Sequence, residues 1–484
     1  MPGRLVGDFI FHDAMTEQTA SQLEPRVVRA VSRRRLPGWR AEALRTTFWL
    51  VPGLMVLAAG ALFAVTISID LAAFHHRLTL PFWINTGSAD AGREVLTAIA
   101  AAVLTVIGVV FSITILALTL ASQQFGPRMM RFFIRDVGNQ MTLGVFVGTF
   151  VYSVLTLGFI TSTRTAVFVP HLSITTSEAL LLVDLGVLIY FIHHIAKSIQ
   201  LPEVIARIAD DLFTAIDTEF PIETPGRSDP PEAGRSESDL VRLLDERGAP
   251  VVAVTDGYLQ YVAYGELVAI ASKLDAVIRL THRPGHFVVA GRPLATVWPG
   301  GAAEQAGRAL ASAHLTGPHR TLNQDPVFAI DQLVEIAIRA LSPAVNDTFT
   351  ALTCIDWLSA GLCRISGRAL NEGVYRDQYG RIRLIEADTS YNRMVNRTFD
   401  KVRQAAGGMP AVIIRLLDSL TRIMEYTVKP FQRAILLRQA EMIVRKAEET
   451  VHEINDLADI RTRYDALVAI SKQMKDEAPQ SVPG

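Results

Sequence analysis

Cysteine is nearly absent from this chain: its 484 residues include two, Cys354 and Cys363. They lie nine residues apart in a helical-looking stretch, so they point to opposite faces. That excludes a disulfide framework or a zinc cluster and leaves buried structural thiols as the reading. Net charge is nearly absent too, at −1 from 47 Lys and Arg against 48 Asp and Glu, so the whole chain has no bias toward nucleic acid. No Gly-rich phosphate loop ending in Lys-Ser/Thr occurs, and no His-Glu-x-x-His, Cys-x-x-Cys or Gly-x-Ser-x-Gly. The expectation is a protein that is not an enzyme and uses no cofactor and no metal. Residues 1 to 25 are mixed polar and contain no short apolar run before a small-residue cleavage site, which argues against a secretory leader.

Half of the residues are hydrophobic, yet 20% are charged. One soluble domain does not normally carry that mixture. It points to apolar segments joined to an ordinary charged domain. A helix needs ~20 apolar residues to cross a hydrocarbon core ~30 Å thick. Four stretches qualify, 47–69, 95–122, 141–161 and 177–195, and none contains Arg or Lys, as the cost of charge in lipid requires.

Basic residues set the orientation. Arg26, Arg29, Arg33, Arg34, Arg35, Arg40 and Arg45 precede the first span, and Arg128, Arg131 and Arg135 lie between the second and third. The other two loops carry only Arg77, Arg93 and Arg164. The basic segments should therefore face the cytoplasm of a bacterial inner membrane, and both termini with them. Trp49, Phe82, Trp83 and Tyr190 lie near the expected interfaces.

The fold class expected is an α-helical integral membrane domain of four spans followed by a cytoplasmic α+β domain. That second domain has a small β-sheet or barrel-like part and a helical C-terminal part. Residues 1–40 form a basic cytoplasmic segment, 41–200 the membrane domain, and 201–245 a helix and a Pro/Gly-rich linker. Short strands separated by Asp256-Gly257, Arg283-Pro284-Gly285 and Gly291-Arg292-Pro293 turns make 246–300 a small β-rich domain. From 301 to 474 the spacing is helical, with Ile413, Leu416, Leu417 and Leu420 on one face. Residues 475–484 form a tail. Gly285 to Val297, GHFVVAGRPLATV, resembles the second half of the barrel-sandwich fold of biotinyl and lipoyl carrier domains. The likeness is one of shape, because no lysine occupies a hairpin upstream; Lys273 falls in a helical stretch.

Longer phrases carry a second resemblance. They are LRTTFWLVPGLMVL, GVVFSITILALTLASQQFGPRMMRFF, LGVFVGTFVYS, FVPHLS, LIYFIHHIAKSIQ, GYLQYV, PGHFVVAGRPLA and DPVFAIDQLVEIAIRALSPAVNDTFTA. Together they resemble a bacterial family of predicted multi-pass membrane proteins, domain of unknown function 2254, over residues 40 to 461. The resemblance implies the topology above and a bacterial origin. It implies no activity, so sites must be nominated on physical grounds.

In the second span Ala98, Thr105, Ser112 and Thr119 recur every seven residues, with Gly108 and Ser122 near the same side. The stripe reads as helix packing or as the wall of a pore in a homo-oligomer that passes small ions or solutes. Gly126-Pro127 breaks the helix, and Arg128, Arg131 and Arg135 then suit lipid headgroups. Asp184 in the fourth span costs ~2.5–3.5 kcal/mol at a span centre, so it needs a hydroxyl partner such as Thr149 or Ser153, or a place on an ion path. His193 and His194 end that span and read as interfacial residues or as a pH-sensing gate. Beyond the spans, Arg320, Asp325, Asp331, Glu335 and Arg339 read as a solvated or salt-bridged face. The Ser342-to-Thr348 loop offers Asn346 or Asp347 as a helix cap, with a ligand or subunit contact as the other reading.

The function expected is a homo-oligomeric channel or transporter-like pore with a cytoplasmic assembly or gating domain. The alternative is a non-conducting, membrane-anchored sensor or scaffold that binds a cytosolic partner. A membrane enzyme would need His193, His194 and Asp347 to converge.

Overall fold

A computed structural model describes residues 28–29, 49–75, 78, 81, 84, 87–125, 136–162, 167–220, 234–368, 373–386 and 390–476. Arg128, Arg131, Arg135, most of the N-terminal basic segment and the Pro-rich linker lie outside the described residues. The chain divides into two compact units, one of residues 35–210 and 335–357, the other of the remainder.

The first unit holds four helices long and apolar enough to cross a membrane: α1 (Leu50–Phe74), α2 (Ala89–Phe125), α3 (Val137–Phe159) and α4 (His171–Ser198). The helices α2 and α4 cover their expected spans and extend past them at both ends, whereas α1 begins inside its span and runs on past the end, and α3 begins before its span and stops short of the end. At ~1.5 Å per residue the 37 residues of α2 run to ~55 Å, well beyond a ~30 Å core.

The centre of the bundle is α3, which packs on α1, α2 and α4. Half of its apolar window is buried, against 17–22% for the other three. Two glycines allow this. A Cβ on Gly144 would stand 3.1 Å from the backbone of Pro52, and one on Gly148 would stand 3.5 Å from Ala59, so small residues four apart let α1 close on α3. On α2 the bundle face is Leu96, Val103, Val110 and Ala117, all buried and seven residues apart.

The second unit is built on a six-stranded mixed sheet in the order β1-β4-β8-β6-β11-β10. Its strands are β1 (Val28–Arg29), β4 (Ala249–Val252), β6 (Val277–Leu280), β8 (Pro293–Trp298), β10 (Val374–Arg376) and β11 (Ile382–Ile385). A three-stranded sheet pairs β7 (Phe287–Val288), β5 (Gly257–Val262) and β9 (His314–Gly317); β2 (Thr161–Ser162) and β3 (Val167–Phe168) pair between α3 and α4.

Side chains divide between the two faces of the large sheet, alternating along β6 as a strand's period of two requires and shifted in β11 by an irregular register, where Tyr375 pairs with Leu384 and Arg376 with Ile382. Val277, Ile382 and Ile385 pack on α6 (Glu237–Arg247). Ile278, Leu280, Leu384, Ala295 and Val297 pack instead with α7 (Tyr264–Lys273) and α8 (Ala303–Ala313). Among the described residues both sheets are open, with β7 in one and β8 in the other, so the sheet part of the expectation is present and no barrel closes around Gly285–Val297. They also recruit β9, β10 and β11, which the 250–299 strand pattern does not include. Those segments are three or four residues long, too short for alternation to register. The α6 helix, with Ser236 as its cap, was likewise hidden in the stretch read as linker.

The remaining helices are α5 (Leu201–Glu219), α9 (Pro326–Ala340), α10 (Thr348–Ser366), α11 (Tyr391–Ala405), α12 (Pro410–Glu425), α13 (Pro430–Thr450) and α14 (Ile454–Asp476). Ile413, Leu416, Leu417 and Leu420 are buried as the spacing predicts. Within the helical spacing expected up to residue 474, the chain breaks after Thr450. Val451 takes an extended backbone, and Glu453 Oε1 accepts from the Asn455 amide to start α14.

Candidate functional site

The buried face of α3 is polar. Asn139, Gln140, Thr142, Thr149, Tyr152, Ser153 and Thr156 are all inside the bundle, at spacings of one, two, seven, three, one and three residues that keep them on the packed side. Asp184 of α4 is buried beside them, and Thr149 Oγ1 donates to its Oδ1 at 3.1 Å. Of the two hydroxyls expected as partners, Thr149 takes the role; the Ser153 hydroxyl is buried without a hydrogen bond, as is Asp184 Oδ2.

Further along the bundle Tyr152 Oη and Thr66 Oγ1 lie 2.7 Å apart. At the far end Asp70 of α1 accepts from the backbone amides of Leu172 (2.8 Å) and Ser173 (2.9 Å) and from Ser173 Oγ (2.7 Å). Asp70 thus caps α4 from another helix. The sequence showed it only as the charged residue that ends an apolar run.

At the opposite end, the two histidines separate. His193 is exposed. His194 Nε2 lies 2.7 Å from Asp136 Oδ1 and its ring stacks on Tyr190, 5.4 Å between centroids. Asp136 is the cap of α3, accepting from Asn139 N at 3.2 Å, and Arg207 Nη1 stands 3.8 Å from its other oxygen. Gly138 makes room for this cluster, because a Cβ there would fall 2.6 Å from His194 Nε2.

The hydroxyl stripe of α2 faces away from the bundle. Ala98, Thr105, Gly108, Ser112 and Thr119 are exposed. Thr105, Ser112 and Thr119 donate back to the carbonyls of Ala101, Gly108 and Ile115 at 2.8–2.9 Å. Ser122 lies within α2, but its side chain is outside the described residues.

In the Ser342 loop the cap is Asp347, not Asn346. Asp347 Oδ1 accepts from Thr350 N at 3.1 Å and its Oδ2 from Thr350 Oγ1 at 2.6 Å. Asn346 takes a left-handed backbone, φ 50°, and Ser342 Oγ donates to Arg339 O at 2.7 Å. Cys354 is buried and its thiol is pushed up to about 12 by burial and the Asp347 charge.

In the sheet-bearing unit Arg320 is held by two carboxylates. It grips Asp325 through Nε (2.9 Å) and Nη2 (3.1 Å) and donates from Nη1 to Asp331 at 2.6 Å. Arg397 Nη2 reaches Asp331 at 3.0 Å. Asp325 is 5% exposed, so of the two readings, solvated or salt-bridged, the salt-bridged one holds for Arg320, Asp325 and Asp331; Glu335 and Arg339 are themselves partly buried. Loop signals carried the reason, since Gly285 takes φ 89° against the Asp325 carboxylate. Nearby His286 Nε2 faces Arg283 Nε at 3.2 Å and Arg393 Nη2 at 3.3 Å. Burial and those guanidiniums push His286 down to about 4. Glu219 is pushed up to about 7 by burial, with Glu386 and Asp325 repelling its charge.

A family model described as "Predicted membrane protein (DUF2254)" matches residues 45–422. The chain belongs to this family. An uncharacterized protein of Mycobacterium bovis and one of Mycobacterium tuberculosis H37Rv are each 33% identical over 387 residues, covering 77% of this chain and 71% of theirs. No solved structure matches. The four apolar helices of this DUF2254 protein agree with the membrane character in the family's description.

Proposed function

We propose that this DUF2254 protein is one subunit of a homo-oligomeric channel or transporter-type assembly in the bacterial inner membrane, with α2 lining a shared path for small ions or solutes. Its termini and its sheet-bearing unit lie in the cytoplasm, where that unit assembles or gates the oligomer. Arg128, Arg131 and Arg135 hold lipid headgroups at that interface.

The supporting observation is the pair of registers on α2. Leu96, Val103, Val110 and Ala117 are buried against the bundle, while Ala98, Thr105, Ser112 and Thr119 are exposed two residues further on, ~200° round the helix. A hydroxyl that donates to its own helix still turns oxygen lone pairs outward. The exposed face therefore presents uncharged oxygens with small residues between them, which suits close approach of helix copies and passage of a partly hydrated ion. A seven-residue repeat drifts only ~20° per repeat, so the face stays aligned over the whole span.

The test is the mass of the purified chain in detergent, with flux measured after reconstitution. A discrete oligomer with Thr105, Ser112 and Thr119 round its axis supports the reading, and a monomer refutes it. A discrete oligomer that passes nothing under voltage, tension or pH favours the non-conducting sensor or scaffold instead.

A further inference from the structure

Hydroxyls in these helices have a default partner. Thr114, Thr156, Thr175, Thr176 and Ser198 each donate to the carbonyl four residues back, at 2.7–3.0 Å, as does each of the three on the exposed face of α2. Thr142, Ser153 and Ser177 depart from it. Each is 1% exposed or less, and each hydroxyl makes no hydrogen bond among the described residues. A buried hydroxyl without a partner costs ~1–3 kcal/mol, and the backbone carbonyl that would relieve it is within reach. Asp184 Oδ2 is in the same condition, in a residue 3% exposed.

These four atoms are ordered along the bundle. Because α3 and α4 run antiparallel, Ser153 lies one turn from Thr149 toward the Asp70 end, and Ser177 two turns from Asp184 in the same direction. Thr142 lies two turns from Thr149 toward the Asp136–His194 pair. At ~1.5 Å per residue the steps are ~6 Å and ~10 Å, distances that one to three hydrogen-bonded waters span.

Among the described residues of the four helices, no countercharge sits at this level. Between Leu50 and Ile69 of α1 and between Val95 and Phe125 of α2 there is no Asp, Glu, Lys, Arg or His. Tyr152 is the titratable group of α3, and on α4 Glu178 and Tyr190 stand six residues and His193 nine residues from Asp184. A carboxylate so placed must take up a cation to neutralise itself, and a proton is the one that a single hydrogen-bonded hydroxyl can accommodate.

We propose that the interior of each four-helix bundle is a proton path in which Asp184 is the exchange station and Thr142, Ser153 and Ser177 orient the waters on either side of it. A hydronium ion gives a proton to Asp184 Oδ2, forming its O–H bond; the carboxylic acid then returns a proton to the water beyond, and no electrons are exchanged. Asp136 with His194 and Asp70 with Ser173 mark the two ends. This path lies within one subunit, so it stands or falls separately from the pore between subunits.

The full chain is reconstituted into phosphatidylethanolamine–phosphatidylglycerol vesicles with an imposed pH gradient, under a potassium–valinomycin clamp, and internal pH is followed with a trapped dye. Wild type is expected to dissipate the gradient, Asp184→Asn to fall to the rate of protein-free vesicles, Ser153→Ala to lie between, and Asp184→Glu to retain flux. Elution profile and thermal midpoint show that each variant is folded. Infrared difference spectra should show a carboxyl C=O band that titrates in wild type and vanishes in Asp184→Asn. Wild-type flux in Asp184→Asn, or no flux above protein-free vesicles in wild type, overturns the proposal. So does flux that survives Asp184→Asn but is lost in Thr105→Val/Ser112→Val, which places the protons in the shared pore instead.

Discussion

Asp70 and His286 show how far a single side chain depends on neighbours that the sequence does not place beside it. The Asp70 carboxylate takes three hydrogen bonds at the start of α4, two of them from backbone amides that no helical carbonyl accepts. Bonds to a charged acceptor are worth ~1.5–3 kcal/mol, and the helix dipole adds ~0.3–1 kcal/mol. We expect Asp70→Ala to cost about 2–3 kcal/mol, read as a lower thermal midpoint in detergent, with Ser173→Ala costing less. An unchanged midpoint would remove Asp70 from this role. His286 makes a prediction of the opposite polarity. Its folded value, about 4, lies below the ordinary 6.5 because burial disfavours the charged ring and two guanidiniums face it. The unfolded chain therefore takes up a proton first as pH falls, and the stability that His286 contributes above pH 6.5 is lost between 6.5 and 4. The His286→Gln variant keeps an acceptor for Arg283 and Arg393 without a titrating ring. It should flatten that part of the stability–pH curve, measured by denaturant unfolding at each pH. Neither role was legible in sequence, since the partners of Asp70 are more than 100 residues away and those of His286 come partly from α11.

At the scale of elements, local signals were reliable where they rest on local chemistry. The caps are an example: Asp347 stands before Thr348 with its side chain on Thr350 N, as the turn composition implies. Removing it as Asp347→Ala should cost ~0.5–2 kcal/mol, whereas Asn346→Gly should be close to neutral, because φ 50° already suits glycine. Thermal unfolding of the two variants side by side checks the contrast, and equal losses would place the effect in loop packing. The four long apolar helices were legible for a comparable reason, since length and apolarity decide them within each segment. The strand segments β9, β10 and β11 were not, because a strand of three or four residues is defined by its neighbour in the sheet. The polar face of α3 was missed in another way. Its glycines and hydroxyls read as unremarkable spacing until α1 and α4 enclose them.

At the scale of the whole molecule, the distribution of arginine is the one long-range signal that the sequence carries without a fold. Eleven arginines lie before the first span or between the second and third, against three in the other two loops. Each charge left on the wrong side opposes insertion, and the bias acts through short loops near span ends. In the orientation proposed from that asymmetry, the α3–α4 connection is outside the cell and the β10–β11 hairpin inside. The two positions can be told apart by single cysteines. Thr161 is exposed between α3 and α4, and Tyr379 is exposed between β10 and β11. In a background with Cys354 and Cys363 replaced by alanine, a membrane-impermeant maleimide added to intact cells should label Thr161→Cys and leave Tyr379→Cys untouched until the cells are opened. Both variants must be present at equal level in the membrane fraction for the comparison to count. The reversed pattern would turn the molecule over. The arginine-rich segments and the sheet-bearing unit would then face outward, and a cytoplasmic gating role for that unit would have to be abandoned, while the uncommitted oxygens around Asp184 would still line the same bundle.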